Sequence, residues 1–404
     1  MRRRVLLIVP LFALLPITIA VGGAGPGPLF VNSGQTLSES LTNQVVLADV
    51  DGDMDLDAFL AKSGSNEIWF NNGSAVFTDS GQLLGTDASY GVALGDLDGD
   101  GDVDAFIANR GAFTGAPDRV WLNDGMGTFN VTIQTLGDLS SYDVALDDLD
   151  GDNDLDAFVA ACGDPLLPGV NDNTLWLNDG HATFTDAGLD FGSFCSSAVA
   201  LADLNHDSRI DIVVANAGSP NPPIPSRGVE IWLNTTMVTQ TVSFTKSQVI
   251  DLAYNIDVAV GDLNQDTHPD VFIANSSGLG GVQPNAIWFN DGAGAFTDSG
   301  QLLGSYASQS VAVGDVDGDG DLDAVVGNGS NQVGQPNQLW LNDGNGNFVN
   351  GNQAFGLQNT LDVTLGDLDS DEDLDLFVAN VSMDEVWLNT SAGYVYYMPL
   401  IATN

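Results

Sequence analysis

The chain has 404 residues, with 55 acidic side chains against 9 Lys and Arg, and a formal net charge of −46. That balance excludes nucleic acid as a partner, because phosphate binding needs clustered Lys and Arg. Apolar residues make up 44% and Gly numbers 47, which suits a globular chain of many strands and tight turns rather than an acidic disordered one.

The chain opens MRRRVLLIVPLFALLPITIAVGGAG. Arg2, Arg3 and Arg4 precede the apolar run Val5 to Ala20, and small residues follow. This is the pattern of a signal peptide over 1–24; the competing reading is a retained membrane anchor. No later segment is long and apolar enough to span a bilayer. The mature chain is therefore expected to be secreted or displayed at the cell surface, without inserting into the membrane.

From Phe30 onward one unit recurs seven times. Its marker aspartates are Asp49, Asp96, Asp148, Asp203, Asp262, Asp315 and Asp367, spaced 47 to 59 residues apart, near the period of propeller blades. All seven Trp lie in matching stretches, from IWFNNG (Trp69) through LWLNDG (Trp340) to VWLNTS (Trp387). Each unit reads as four strands. An apolar strand ends in a small residue, an Asp-rich loop follows, and then a strand apolar on both faces, such as DAFIAN from Asp104. The Trp strand and a turn such as Asn-Asp-Gly lead into a fourth strand near Phe77, Phe129, Phe184, Phe244, Phe296 or Phe348. Sheets that need cover on both faces can stack radially.

The expected fold is all-β: a seven-bladed β-propeller over 27–393 with four antiparallel strands per blade. FVNSGQTL from Phe30 echoes FTDSGQLL from Phe77 and Phe296, so the N-terminal strand is expected to complete the last blade. YVYYMPLIATN (394–404) is either a further strand or a tail. The small first-strand ends (Ala48, Gly95, Ala202, Gly261, Gly314, Gly366) are expected to reflect a narrow central channel, and Asp147 breaks that pattern.

The loops carry the chemistry. Counting from the marker as position 1, position 3 is Asp51, Asp98, Asp150, Asn205, Asn264, Asp317 and Asp369. Position 5 is Asp53, Asp100, Asp152, Asp207, Asp266, Asp319 and Asp371. Position 7 is Asp55, Asp102, Asp154, Arg209, His268, Asp321 and Asp373. Position 9 is Asp57, Asp104, Asp156, Asp211, Asp270, Asp323 and Asp375. An all-oxygen donor set suits Ca2+, whereas Zn2+ or Cu2+ would want His or Cys. Up to seven Ca2+ ions are expected, with position 7 offering a backbone carbonyl, as its Arg and His imply. Met54 and Glu372 at position 6 make the first and seventh loops less secure. The fourth and fifth loops, with fewer carboxylates, are expected to bind more weakly.

With DVDGDGDLDAVVGN (315–328) and its Trp strand, the chain resembles FG-GAP/VCBS repeat proteins over roughly Phe30 to Asn389. That family includes integrin alpha-subunit propellers and many bacterial secreted proteins. The resemblance implies a seven-bladed propeller, calcium in the hairpin between the first and second strands, and a role in adhesion or ligand binding.

The distance from marker to Trp varies from 20 to 29 residues, so length variation falls in the loops after the second strand, on the face opposite the acidic loops. These include 109–118, 161–173, 216–228 and 275–285. Such loops on a rigid scaffold are where a protein or glycan partner is expected, and Lys62, Arg110, Arg119 and Arg227 lie in or beside them. Cys162 and Cys195 fall on this face in adjacent blades, where a disulfide suits a secreted chain; two buried thiols are the alternative. Catalysis is not expected. His181 sits in a turn, His206 and His268 sit in acidic loops, and no G-x-S-x-G or H-E-x-x-H motif occurs. The readings weighed against a binding module are a polysaccharide-acting enzyme on a propeller scaffold and a purely structural envelope protein.

Overall fold

The computed structural model describes residues 29–390, except 111–114, 163–172, 193–194, 218, 221–222, 225–227, 238–240, 279–280 and 331–332. The signal segment and the 394–404 segment lie outside the described residues. Among these, no helix is long and apolar enough to cross a membrane.

Seven antiparallel sheets form a ring. Blade one runs outward through Thr42–Ala48, Asp57–Lys62, Glu67–Phe70 and Thr78–Asp79. The inner strands of the next five blades are Ser89–Gly95, Ser140–Asp147, Ser196–Ala202, Asn255–Gly261 and Ser308–Gly314. Blade seven draws three strands from the C-terminal end, Thr360–Gly366, Asp375–Asn380 and Asp384–Asn389. Its outer strand is Phe30–Leu37, which pairs antiparallel with Asp384–Asn389. The ring is thus closed by the N-terminal strand, as the Phe30 echo predicts.

The second strands explain the stacking. Asp57–Lys62, Asp104–Asn109, Asp211–Asn216, Asp270–Asn275 and Asp375–Asn380 are buried at every residue. Each therefore needs a neighbouring blade on either side, and the core lies between blades. Phe59 meets Phe129 edge-on at 5.7 Å, Phe106 meets Phe184 at 5.3 Å, and Phe77 meets Phe377 at 5.7 Å across the closing seam. Burying one such ring contributes about 1.5–3 kcal/mol.

Polar bonds fix the register between blades. The Asn that ends each Trp strand donates Nδ2–H to the preceding blade and to its own loop. Asn123 reaches the Val50 carbonyl at 2.7 Å and the Val103 carbonyl at 3.1 Å. Asn178, Asn234, Asn290, Asn342 and Asn389 do the same in turn. Farther out, a Gln captures the next blade's Phe: Gln82 Oε1 accepts from the Phe129 amide at 3.1 Å, and Gln353 accepts from that of Phe30 at 3.1 Å.

The small residue that ends the inner strand has a different cause from channel width. A Cβ on Gly95 would lie 2.6 Å from Leu155 Cδ1, and one on Gly314 would lie 2.7 Å from Leu374 Cδ1. Gly261 and Gly366 meet Leu322 and Leu56 in the same way. All four leucines occupy position 8 of the next blade's acidic loop. Where that residue is Val103, Ile210 or Pro269, the preceding inner strand ends in Ala48, Asp147 or Ala202. Asp147 is tolerated because no leucine follows it.

A second correction concerns Lys62. It is buried rather than presented on the loop face, and its Nζ pairs with Glu67 and with the Ser38 hydroxyl. Cys162 and Cys195 are joined as a disulfide between blades three and four.

Candidate metal sites

Each acidic loop is a tight turn between the inner and second strands. Positions 4 and 6 need the left-handed backbone, with Gly318 at φ 77° and Gly320 at φ 93°. Loops two and six have Gly at both positions. Elsewhere an L side chain takes the strained geometry, as at Met54 (φ 75°), His206 (φ 57°), Thr267 (φ 73°) and Glu372 (φ 72°). That costs about 1–2 kcal/mol per residue.

Position 1 organises the turn through its carboxylate. Asp315 Oδ1 accepts the amides of Gly318 at 2.9 Å and Asp319 at 3.1 Å, and Oδ2 accepts that of Gly320 at 3.0 Å. Position 9 anchors the turn to the sheet. Asp323 is 0% exposed. Its Oδ2 accepts the Val316 amide at 3.2 Å and its Oδ1 accepts the Asn342 amide at 2.8 Å. The other six position-9 carboxylates repeat both bonds, as Asp57 does with Val50 and Asn71. Burial pushes Asp323 up to about 7 and Asp57 up to about 6. Sequence reasoning read position 9 as a ligand at the start of the buried second strand and missed these two amide bonds.

Positions 1, 3 and 5 converge in loops one, three and seven: Asp49 with Asp51 and Asp53, Asp148 with Asp150 and Asp152, and Asp367 with Asp369 and Asp371. Positions 1, 3 and 9 converge in loops two and six: Asp96 with Asp98 and Asp104, and Asp315 with Asp317 and Asp323. In each group one oxygen per residue lies within 4.8 Å of the others. The two loops with Gly at both strained positions are the two in which the cluster reaches the strand. Among the described residues, loops four and five, with Asn205 and Asn264 at position 3, form no such acidic group.

The donor set fits a hard cation. Oδ1 of Asp150, Asp317 and Asp369 is buried without a hydrogen-bond partner in the protein. A buried, unpaired carboxylate oxygen is costly unless something positive meets it. Burial, then the neighbouring carboxylates, hold Asp150, Asp317 and Asp369 above the ordinary Asp range.

Position 7 is not a member of these groups, although Asp321 Oδ1 and both Asp373 carboxylate oxygens are also buried without a partner. A Cβ on Gly125 would lie 2.5 Å from Asp102 Oδ1, and one on Gly180 would lie 2.6 Å from Asp154 Oδ2. The side chain therefore rests on the glycine of its blade's Asn-Asp-Gly turn. His268 packs on Gly292 in the same way, and Arg209 Nε donates to the Asn234 carbonyl at 2.9 Å. This places the acidic loops and the Asn-Asp-Gly turns on one face.

These features define a seven-bladed β-propeller with acidic hairpins between the first and second strands. The chain belongs to the FG-GAP-like repeat family, which matches residues 49–107, 96–159, 148–214, 262–326 and 315–378. No curated protein matches it. Among solved structures it is similar to BBS1N, crystallised in complex with ARL6DN. The TM-score is 0.58 at 10% identity, over 91% of this chain and 99% of that one. It is also similar to the extracellular domain of BT4673 from B. thetaiotaomicron, with a TM-score of 0.52 at 10% identity, over 89% of this chain and 40% of that one. Both likenesses concern the fold alone.

Proposed function

We propose that the chain is a secreted or cell-surface calcium-binding module that recognises a protein or glycan on the face opposite its acidic loops. The observation that carries the calcium reading is the group of orphaned position-3 oxygens at Asp150, Asp317 and Asp369, each set among further carboxylates. Ca2+ takes 6–8 oxygens at 2.3–2.6 Å, a geometry that several carboxylates, a backbone carbonyl and water can supply. Positions 1, 3 and 5, with position 9 in loops two and six, would hold the ion, and position 7 would contribute its carbonyl. At extracellular affinities of roughly 10⁻⁴–10⁻³ M and about millimolar calcium, each occupied site adds about 0.4–1.4 kcal/mol of stability. The ions would thus keep the scaffold rigid for loops that differ from blade to blade.

The reading is tested by screening the purified, calcium-loaded chain against glycan arrays and cell surfaces, with and without chelator. Calcium-dependent binding that is lost when loop 216–228 is exchanged supports it. Turnover of a polysaccharide panel with no such binding would replace it with an enzyme.

A further inference from the structure

The seven inner strands share an irregularity that the repeat unit alone does not require. Each has a β-bulge at the same place, between Thr42 and Gln44 in blade one and between Thr360 and Asp362 in blade seven. The bulged residues are Asn43, Tyr90, Tyr142, Ser197, Ile256, Gln309 and Leu361, and all seven line one axial cavity of about 500 Å3 on the loop face. Bulges re-aim side chains and are common beside binding sites. The next ring inward is Gln44, Gly91, Asp143, Ala198, Asp257, Ser310 and Asp362. One residue farther along, every blade has Val: Val45, Val92, Val144, Val199, Val258, Val311 and Val363. The fold thus fixes the valine ring and leaves the two rings above it free to vary.

The inner of these rings forms a waist. Gln44, Asp143, Asp257, Ser310 and Asp362 border both the upper cavity and a second one that continues along the axis. Each holds the following blade by a backbone amide: Asp143 Oδ2 accepts from Val199 at 2.9 Å, Asp257 Oδ2 from Val311 at 2.9 Å, and Asp362 Oδ2 from Val45 at 2.9 Å. Their remaining partners are the Val258 amide, Gln44 and the Ser310 hydroxyl, with no Lys or Arg among them. Burial pushes Asp143 and Asp362 up to about 7 and Asp257 up to about 6. A carboxylate retains acceptor capacity beyond one bond per oxygen. Among the described residues, the acidic groups whose oxygens converge for one ion lie in the loops and not at the waist, so the waist suits a larger organic cation.

The opposite charge lines the same chamber. Arg110 lies against both Tyr90 and Tyr142, with its Cζ 4.8 Å and 4.9 Å from the ring centres, and Nη1 donates to the Tyr90 hydroxyl at 2.6 Å. Among the described residues no carboxylate pairs with it. A guanidinium held against two aromatic rings, with donors beyond the Tyr90 bond, suits a bidentate carboxylate. It sits beside blades two and three, whereas Asp257 and Asp362 belong to blades five and seven. Ile256, Leu361 and Tyr254 supply apolar wall.

From this arrangement we infer that the chamber binds a small zwitterion with an apolar body, its carboxylate on Arg110 and its ammonium at Asp257 and Asp362. The inference rests on the reading of the loop face as a binding surface and names a ligand class for its centre. A zwitterion satisfies both poles without adding net charge to a chain at −46. Its source is a free amino acid or a short peptide. A pure anion would meet three half-buried carboxylates, and a pure cation would leave Arg110 unanswered.

The test is calorimetric titration of the calcium-loaded full chain with leucine, the dipeptide Leu-Leu, N-acetyl-leucine and leucine amide. Leucine or Leu-Leu should bind, and the two arms distinguish the free amino acid from the peptide. Blocking either end should weaken binding about 10-fold or more. R110Q should abolish the preference for a free carboxylate, and D362N the preference for a free ammonium, with melting curves confirming that both variants fold. Silence with both zwitterions, equal binding of the capped forms, or unchanged preferences in the variants would overturn the inference. A positive surface screen with silent titrations removes this inference alone; silence in both removes the binding face as well.

Discussion

Asn71 donates its Nδ2–H to the Leu368 carbonyl at 2.9 Å, across 297 residues of sequence. The same Nδ2 bonds Leu56 O at 3.2 Å within blade one. One side chain thus ties the acidic turn of the first blade to that of the last, at the seam where the ring closes. Replacing Asn71 with Ala removes both bonds, at about 0.5–1.5 kcal/mol each, although the Leu368 carbonyl keeps the Ala75 amide at 2.7 Å. Chemical denaturation of Asn71→Ala should show that loss. Asn234→Ala, in mid-ring, should lose a similar amount, because the stitch is repeated in every blade.

The glycine that ends the inner strand predicts a paired substitution. Gly314→Ala places a methyl 2.7 Å from Leu374 Cδ1 and should destabilise the chain by about 1–3 kcal/mol through overpacking. Leu374→Val on top of it should restore part of the loss, since blade one already tolerates Ala48 beside Val103. A double-mutant cycle measures the coupling. Additive effects would mean that the two residues do not press on each other.

Two aspartates four residues apart in one loop should behave differently. Asp317 and Asp321 each have a buried oxygen without a partner, but only Asp317 belongs to the convergent group. Asp317→Ala should remove ion binding from loop six, and Asp321→Ala should leave most of it. Site-resolved calcium titration against the parent chain distinguishes the two.

Carboxyls away from the acidic loops, together with the raised position-9 carboxyls, shape the pH response of the metal-free chain. Burial pushes Asp118 up to about 8, Asp143, Asp362 and Asp384 to about 7, and Asp257 to about 6. Groups raised above the unfolded value of about 3.9 stabilise most below that pH, and the contribution is lost as pH rises through the folded values. Asp124 and Asp343, exposed turn carboxylates held low by amide bonds, act in the opposite sense. The chelated chain should therefore melt higher at pH 5 than at pH 8. A higher melting temperature at pH 8 would contradict the burial of these groups.

The repeat made most of the architecture legible. Seven Trp stretches gave the blade count, DAFIAN-type runs gave strands buried on both faces, and the Phe30 echo gave the closure. The acidic positions were also plain, because regular Asp spacing survives in sequence. What stayed hidden depends on neighbours that only the ring brings together. The Asn of LWLNDG reads as a turn residue until the preceding blade's carbonyl stands beside it. Gly314 reads as channel lining until Leu374 of the next blade arrives. Asp143, Asp257 and Asp362 could have been noticed as polar residues five places before a marker, within otherwise apolar strands. Their meeting around one lumen is a property of the closed ring.

Thermal unfolding of the mature chain in about millimolar calcium and in excess chelator is the most direct test of the central claim, that divalent ions in the acidic loops hold the propeller together. Several sites, each adding about 0.4–1.4 kcal/mol, predict that chelation lowers the melting temperature by many degrees and that added calcium restores it. A melting temperature unchanged by chelation would contradict the claim.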